Sequence, residues 1–313
     1  MSDDPKRPAD EIELDDGHPI VLPPPKRTPL QRLSLTLQRV RGLREQIEQA
    51  RSRSRALDVT LDVVERDSDI GGGILAGALA YRIFVFALPL GVFLVSALGV
   101  VADLVGSEPE DVGDSVGYAG LVTDQVSAAA STSANLWVAL GALPVLAYVT
   151  RVLLRAVAIV HALAWERTAA HVRVTARMFG IFSAAVAGQL ALVAAFGTVR
   201  GDLSAGLLAG IPPFALGIAA VWLVISIQLP HAGASRADLL PGALLYAAGI
   251  LAVQLVGIYV IERIVQSKAG TYGTLGIAAA VLLGFYFMGR IVVAAAVLNA
   301  TLHARRSASR SPG

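Results

Sequence analysis

Six long apolar runs limit this chain more than any motif does. They are Ile83–Asp103, Leu136–Leu154, Phe179–Val199, Leu203–Gln228, Leu239–Ile261 and Leu275–Leu298. Each is near the ~20 residues that carry a helix across a ~30 Å hydrocarbon core. A helix on the surface of a soluble bundle keeps a polar stripe at helical spacing. These runs are apolar all round, so lipid and neighbouring helices are their surroundings. Hydrophobic residues make up 55% of the chain and charged residues 16%, too apolar for an ordinary soluble domain. Lipid leaves no partner for an unpaired backbone group, so runs of this length cross as helices. The expected fold is all-α: a polytopic membrane protein with six transmembrane helices, preceded by amphipathic cytoplasmic helices.

Charge orients the spans, because short loops rich in Lys and Arg stay in the cytoplasm. Lys26, Arg27, Arg32, Arg39, Arg41, Arg44, Arg51, Arg53, Arg55 and Arg66 precede the first run. The loop 104–135 has no Lys or Arg and carries Glu108, Glu110, Asp111, Asp114 and Asp124. Arg155, Arg167, Arg173 and Arg177 follow the second run, and Arg305, Arg306 and Arg310 follow the sixth. The expectation is a multi-pass protein of the bacterial plasma (inner) membrane with both termini cytoplasmic. With no signal peptide visible, the first span serves as an uncleaved signal. Arg263 and Lys268 fall in the fifth loop, on the disfavoured side.

The chain divides accordingly. Residues 1–29, charged and with Pro23, Pro24 and Pro25 in a row, read as a disordered cytoplasmic tail. Residues 30–70 read as amphipathic cytoplasmic or interfacial helices, with Leu33, Leu37, Val40 and Ile47 on one face and Leu57, Leu61 and Val64 on a similar one. Two placements stay open for them: lying on the anionic inner leaflet, or packed against the protein's own inner face. Residues 71–303 form the six-span domain and 304–313 a basic tail. Membrane lipids are the expected partners, anionic inner-leaflet lipid among them. Nucleic acid is not expected, because aromatic residues are not interleaved with the basic ones.

Soluble chemistry finds little support. The chain has no cysteine, and its histidines are His18, His161, His171, His231 and His303. None forms a helical i, i+4 pair or sits in a metal-binding motif. Phosphate loops, nucleophile elbows and dinucleotide fingerprints are missing. The chain is therefore expected to be no enzyme, with no catalytic residue, metal ligand or cofactor, and His161, His171 and His231 are expected to be solvated loop histidines. Intramembrane polarity is the sharper signal, since an ionisable group in a span marks a functional site by default. Arg82 precedes the first hydrophobic core, Arg290 lies inside the sixth span, and Gln189 and Gln254 lie inside the third and fifth. At ~1.5 Å of rise per residue, Arg290 is about 12 Å before Leu298, on the cytoplasmic side of the midplane. Arg82 and Arg151 share that side. The expectation is a substrate-binding cavity open to the cytoplasm, formed by Arg82, Arg290, Arg151, Gln189 and Gln254 and suited to an anionic group. Two alternatives stay open: snorkelling of the arginines to the headgroups, or a structural pair of Arg290 with Asp238, Glu166 or a helix C-terminus. Pro89, Pro144, Pro212 and Pro213 lie within spans as hinge candidates. Pro212–Pro213 with Gly206 and Gly210 makes the fourth span the candidate broken helix. Glycines four apart, such as Gly73 and Gly77, offer close helix approach.

Several short stretches together resemble a known family. Gly77-Ala78-Leu79-Ala80-Tyr81-Arg82, then Leu88-Pro89-Leu90, opens the pattern. Leu239-Leu240-Pro241-Gly242-Ala243 follows the fourth span, Tyr272-Gly273-Thr274-Leu275-Gly276 precedes the sixth, and Asn299-Ala300 ends it. In this order they resemble the YihY/virulence factor BrkB family, over roughly Val40 to Arg306. The resemblance implies a six-span inner-membrane protein of a family linked to virulence and serum resistance. The family also once carried a ribonuclease BN label, which the scattered histidines here do not support. Its members commonly have an acidic residue two positions before the asparagine of the sixth span. Here that position is Val297, so no role of that carboxylate transfers. The function expected is translocation or export of an anionic or amphiphilic molecule. The alternative is a non-transporting membrane scaffold for envelope integrity or virulence-type resistance.

Overall fold

The computed structural model describes residues 54–105, 132–202, 206–256 and 262–310. The tail expected at 1–29 and the amphipathic stretch up to 53 lie outside the described residues. Those described form seven α-helices and one short 3-10 turn: α1 (Arg55–Asp69), α2 (Gly72–Val105), α3 (Thr132–Ala164), the 3-10 turn Ala169–His171, α4 (Ala176–Asp202), α5 (Gly206–Gln228), α6 (Arg236–Val256) and α7 (Glu262–Ala308). All but α1 are long and apolar enough to cross a membrane. The all-α, six-span expectation holds.

The helices outrun the apolar runs that announced them. α2 starts at Gly72 rather than Ile83, and α3 continues past Leu154 to Ala164. α7 has 47 residues, about 70 Å at ~1.5 Å per residue. The loop expected around Arg263 and Lys268 is the start of that helix. Apolarity marks where a helix meets lipid, and a helix leaving lipid need not stop. The broken fourth span is corrected too. α5 is helical without interruption from Gly206 to Gln228 across Pro212 and Pro213, as α2 is across Pro89 and α3 across Pro144. Bundle helices tolerate proline where neighbours and local adjustment satisfy the freed carbonyls.

α2 packs against α3 and α7, α7 against α6, α6 against α5, and α5 against α4. α7 also reaches α1 and α3, whereas α4 barely touches α3. α1, the starts of α2, α4 and α6, and the ends of α3, α5 and α7 gather at one end, here called the basic end. Ile74, Trp137 and Leu216 are 81%, 72% and 65% exposed on the outside, which suits a surface solvated by lipid tails. The interior mixes large apolar side chains such as Leu154, Ile218 and Trp222 with alanines, Ala76, Ala158, Ala243, Ala295 and Ala296 among them.

Glycine lets α7 approach its neighbours. A Cβ on Gly242 of α6 would stand 2.4 Å from both the Ala295 carbonyl oxygen and Asn299 Nδ2. One on Gly289 of α7 would stand 2.5 Å from the Ala76 carbonyl oxygen. By contrast, a Cβ on Gly77 would meet nothing within 4 Å, so the four-residue glycine spacing is not the one used there. Asn299 completes the α6–α7 contact: its Oδ1 accepts from Gly242 N–H at 2.7 Å and its Nδ2 donates to the Leu239 carbonyl at 3.1 Å. Two of the stretches that carry the family resemblance therefore meet in one hydrogen-bonded clamp on either side of Pro241. Val297 is fully buried nearby.

Ion pairs hold α1 across the basic end. Arg290 grips both oxygens of Asp67 at 3.1 Å, and Arg305 binds Asp58 and Asp62 together. Arg66 Nε donates to the Ala164 carbonyl at 3.0 Å, and its guanidinium pairs with Glu166 at 2.7 Å. Of the two placements open for the amphipathic segment, Arg55–Asp69 takes the one against the protein. Gly71, at φ +66°, turns the chain from α1 into α2. Gly72 leaves room for Asp67, whose Oδ1 would lie 2.1 Å from a Cβ there.

Candidate functional site

A cavity of about 620 Å³ opens at the basic end, between the end of α3, the start of α4 and the end of α5. Local sequence shapes each wall. α3 closes with a paired C-terminal motif, in which Arg167 N–H donates to the Ala162 carbonyl at 2.7 Å and Glu166 N–H to that of Leu163 at 3.0 Å. This motif wants a left-handed residue after the helix, usually glycine. Glu166 fills that place at φ 53°, with its carboxylate on Arg66. The chain then leads Arg167, Thr168, Val172 and Arg173 along the cavity. Thr175 caps α4, its hydroxyl accepting from Met178 N–H at 3.2 Å. Past Gln228, Leu229 and Pro230 follow, and a ring nitrogen of His231 lies 2.7 Å from the Leu229 carbonyl.

The lining has two characters. Arg167, Thr168, Arg173, Gln228 and His231 are polar, and Ala162, Val172, Met178, Ile227, Leu229 and Pro230 are apolar or nearly so. No acidic residue lines it. Arg66, Arg290, Arg305 and Arg306 are all neutralised by carboxylates, whereas among the described residues no acidic side chain pairs with Arg167 or Arg173. The open cavity therefore presents two exposed guanidinium groups, unpaired among the described residues, together with apolar side chains, which suits an anionic head on an apolar body.

The residues expected to form a site lie elsewhere. Arg82 is exposed on α2, its guanidinium 6.0 Å from the ring of its neighbour Tyr81. Arg151 is exposed on α3. Arg290 turns to Asp67, so the partner foreseen for it among Asp238, Glu166 and a helix terminus is replaced by a residue of α1. Asp238 pairs instead with Arg306 at 2.5 Å and His303 at 3.4 Å. It also accepts from Ser235 N–H and Oγ at 3.0 and 2.8 Å, capping α6. Gln189 accepts from Tyr246 OH at 3.3 Å, joining α4 to α6, and Gln254 is half-buried in α6. None of these lines the cavity. Arg167 and Arg173 were visible in the sequence only as charges that orient the second loop. Nothing local told them apart from other loop arginines, because the end of α5 completes the cavity from sixty residues away in the chain.

His161 departs most from expectation. It is not a solvated loop residue but lies in the last turn of α3, 2% exposed. One ring nitrogen is 3.1 Å from the Val157 carbonyl; a carbonyl only accepts, so that nitrogen carries the proton and Nε2 is a bare acceptor. Among the described residues, His161 Nε2, Trp222 Nε1 and Ser226 Oγ find no hydrogen-bond partner, and neither do Trp165 Nε1 and Thr301 Oγ1. The His161 and Trp222 rings are 6.0 Å apart, and Trp222 stacks on Tyr246 at 3.9 Å and 9°. The spacing His161/Trp165 and Trp222/Ser226, four residues each, places each pair on one helix face, a sign that was legible once the helices were known to reach that far.

No curated protein and no solved structure matches the chain. The family model of virulence factor BrkB matches residues 64–313, which spans every membrane helix and the end of α1 with Asp67. With that coverage and the meeting of its motif stretches at Asn299 and Gly242, the chain belongs to the virulence factor BrkB family.

Proposed function

We propose that this protein moves an anionic amphiphile across the bacterial plasma membrane, taking it in from the cytoplasm through the cavity of Arg167 and Arg173. The carrying observation is the cavity itself: two exposed guanidinium groups, without carboxylate partners among the described residues, share it with apolar side chains in a six-span bundle. Arginine suits carboxylate and phosphate groups because its planar fork bonds two oxygens at once. The positive-inside rule puts this end in the cytoplasm, with anionic inner-leaflet lipid close by. The alternative is a scaffold that transports nothing. The internal pairing of Arg290, Arg305 and Arg306 favours it, because the first two hold α1 and the third binds Asp238 at the start of α6.

Native mass spectrometry of protein gently released from its own membrane separates the two readings. Wild type is compared with an Arg167→Ala/Arg173→Ala variant and with Arg290→Ala. A discrete anion or lipid lost in the first variant and kept in the second supports the cavity reading. Identical spectra for all three, with nothing bound, leave the scaffold.

A further inference from the structure

We propose that a polar seam continues this cavity into the bundle as a hydrated path for the polar group of a cargo, closed in this structure by the Trp222–Tyr246 stack. The inference rests on reading the cavity as the mouth of a translocation route. Four helices supply the seam in touching order: His161 of α3 against Trp222 of α5, Trp222 on Tyr246 of α6, and Tyr246 OH donating to Gln189 of α4. Its outer end lies at the level of the cavity, whose lining includes Ala162 and Ile227, the chain neighbours of His161 and Ser226. At ~1.5 Å per residue, Tyr246 stands about 15 Å into α6 and Gln189 about 20 Å into α4 from the basic end. The seam thus reaches well into the membrane-spanning part of the molecule.

The unmet groups say what the seam is built to hold. Ser226, His161 and Trp222 are 1%, 2% and 3% exposed. A buried polar atom without a partner destabilises the fold, and an apolar side chain in each place would avoid that cost. Nε2 of His161 accepts, the Trp222 indole donates, and the Ser226 hydroxyl does both. That set matches water or the hydroxyl and carbonyl groups of a cargo. Beyond it, Trp222 of α5 stacks flat on Tyr246 of α6, and the path ends there until the stack parts.

The chain has no cysteine, so single introduced thiols report their own surroundings. Methanethiosulfonate reagents attack thiolates, and a thiol in dry apolar surroundings stays protonated; each unit of upward shift slows it about tenfold. Four variants in membrane vesicles open at the basic end are compared: Ile227→Cys in the cavity wall, Ser226→Cys before the stack, Gln189→Cys beyond it, and Leu216→Cys on the lipid face. Ile227→Cys and Ser226→Cys are expected to react about tenfold or more faster than Leu216→Cys, with Gln189→Cys as slow as Leu216→Cys. Adding Trp222→Ala is expected to raise Gln189→Cys about tenfold; Tyr246→Ala opens the other half of the stack if the first variant does not fold. A reactive Ile227→Cys beside a silent Ser226→Cys overturns the path and leaves the cavity reading standing. A silent Ile227→Cys removes both. Gln189→Cys reacting before the stack is opened, or staying silent after it, refutes the closure.

Discussion

Replacing Asn299 by leucine tests the contact on which the α6–α7 packing turns. Leucine keeps the branched outline but is the larger side chain, so crowding at this close crossing adds to the loss. What goes is a hydrogen bond from Gly242 N–H at 2.7 Å and one to the Leu239 carbonyl at 3.1 Å, both buried. Each net bond is worth about 1 kcal/mol, and each backbone group left unsatisfied in a buried site adds about 1–3 kcal/mol. Within membranes, side-chain hydrogen bonds between helices average nearer 0.6 kcal/mol, because the unfolded helices also find partners. A loss of about 2–3 kcal/mol follows for Asn299→Leu, taking both scales together. Unfolding by sodium dodecyl sulfate from a mild detergent, followed by the fluorescence of buried Trp165 and Trp222, reads the loss. Leu216→Ala is the comparison, since Leu216 is 65% exposed and lipid or detergent replaces its contacts. If Asn299→Leu unfolds at the same detergent fraction as Leu216→Ala, the clamp does not hold these helices and the reasoning is wrong.

Gly242→Ala is expected to destabilise by several kcal/mol, of the order seen when a packed core is overfilled. Asn299→Ala should not rescue it in the same unfolding assay, because the Ala295 carbonyl would still lie 2.4 Å from the new Cβ. Arg290→Ala leaves Asp67 without its partner; with the pair partly exposed, the cost is about 1–2 kcal/mol rather than the full buried-pair value. Gly72→Ala displaces Asp67 from the same pair, so the two changes together should cost little more than either alone, read as faster hydrogen exchange across α1. Glu166→Gly should stabilise by roughly 0.5–1 kcal/mol in thermal unfolding. The left-handed position costs a non-glycine residue about 1–2 kcal/mol, and an exposed pair such as Arg66–Glu166 returns less than about 1 kcal/mol. A fall in stability would mean that Arg66 holds the end of α3 through Glu166 more firmly than exposure suggests.

The spans, their number and the basic end follow from sequence alone. A hydrocarbon solvent admits only helices of a certain length, and apolar runs such as Leu239–Ile261 declare it directly. The stretches around Gly242 and Asn299 were also visible, as a family resemblance, although nothing in them says that they touch. Where the reading went astray, the cause was partnership across distance. Arg290 looked like a ligand-binding charge because its partner, Asp67, lies 223 residues earlier in a helix that the apolar runs do not mark. His161 looked like a loop histidine because α3 runs past its apolar part. Arg167 and Arg173 looked like topology signals until the ends of α3 and α5 placed them along an open cavity. Solvent preference is a property of each segment and can be read along the chain. Whether an arginine is neutralised by a carboxylate or left to face a cavity depends on which helix ends meet, and only the tertiary structure decides that.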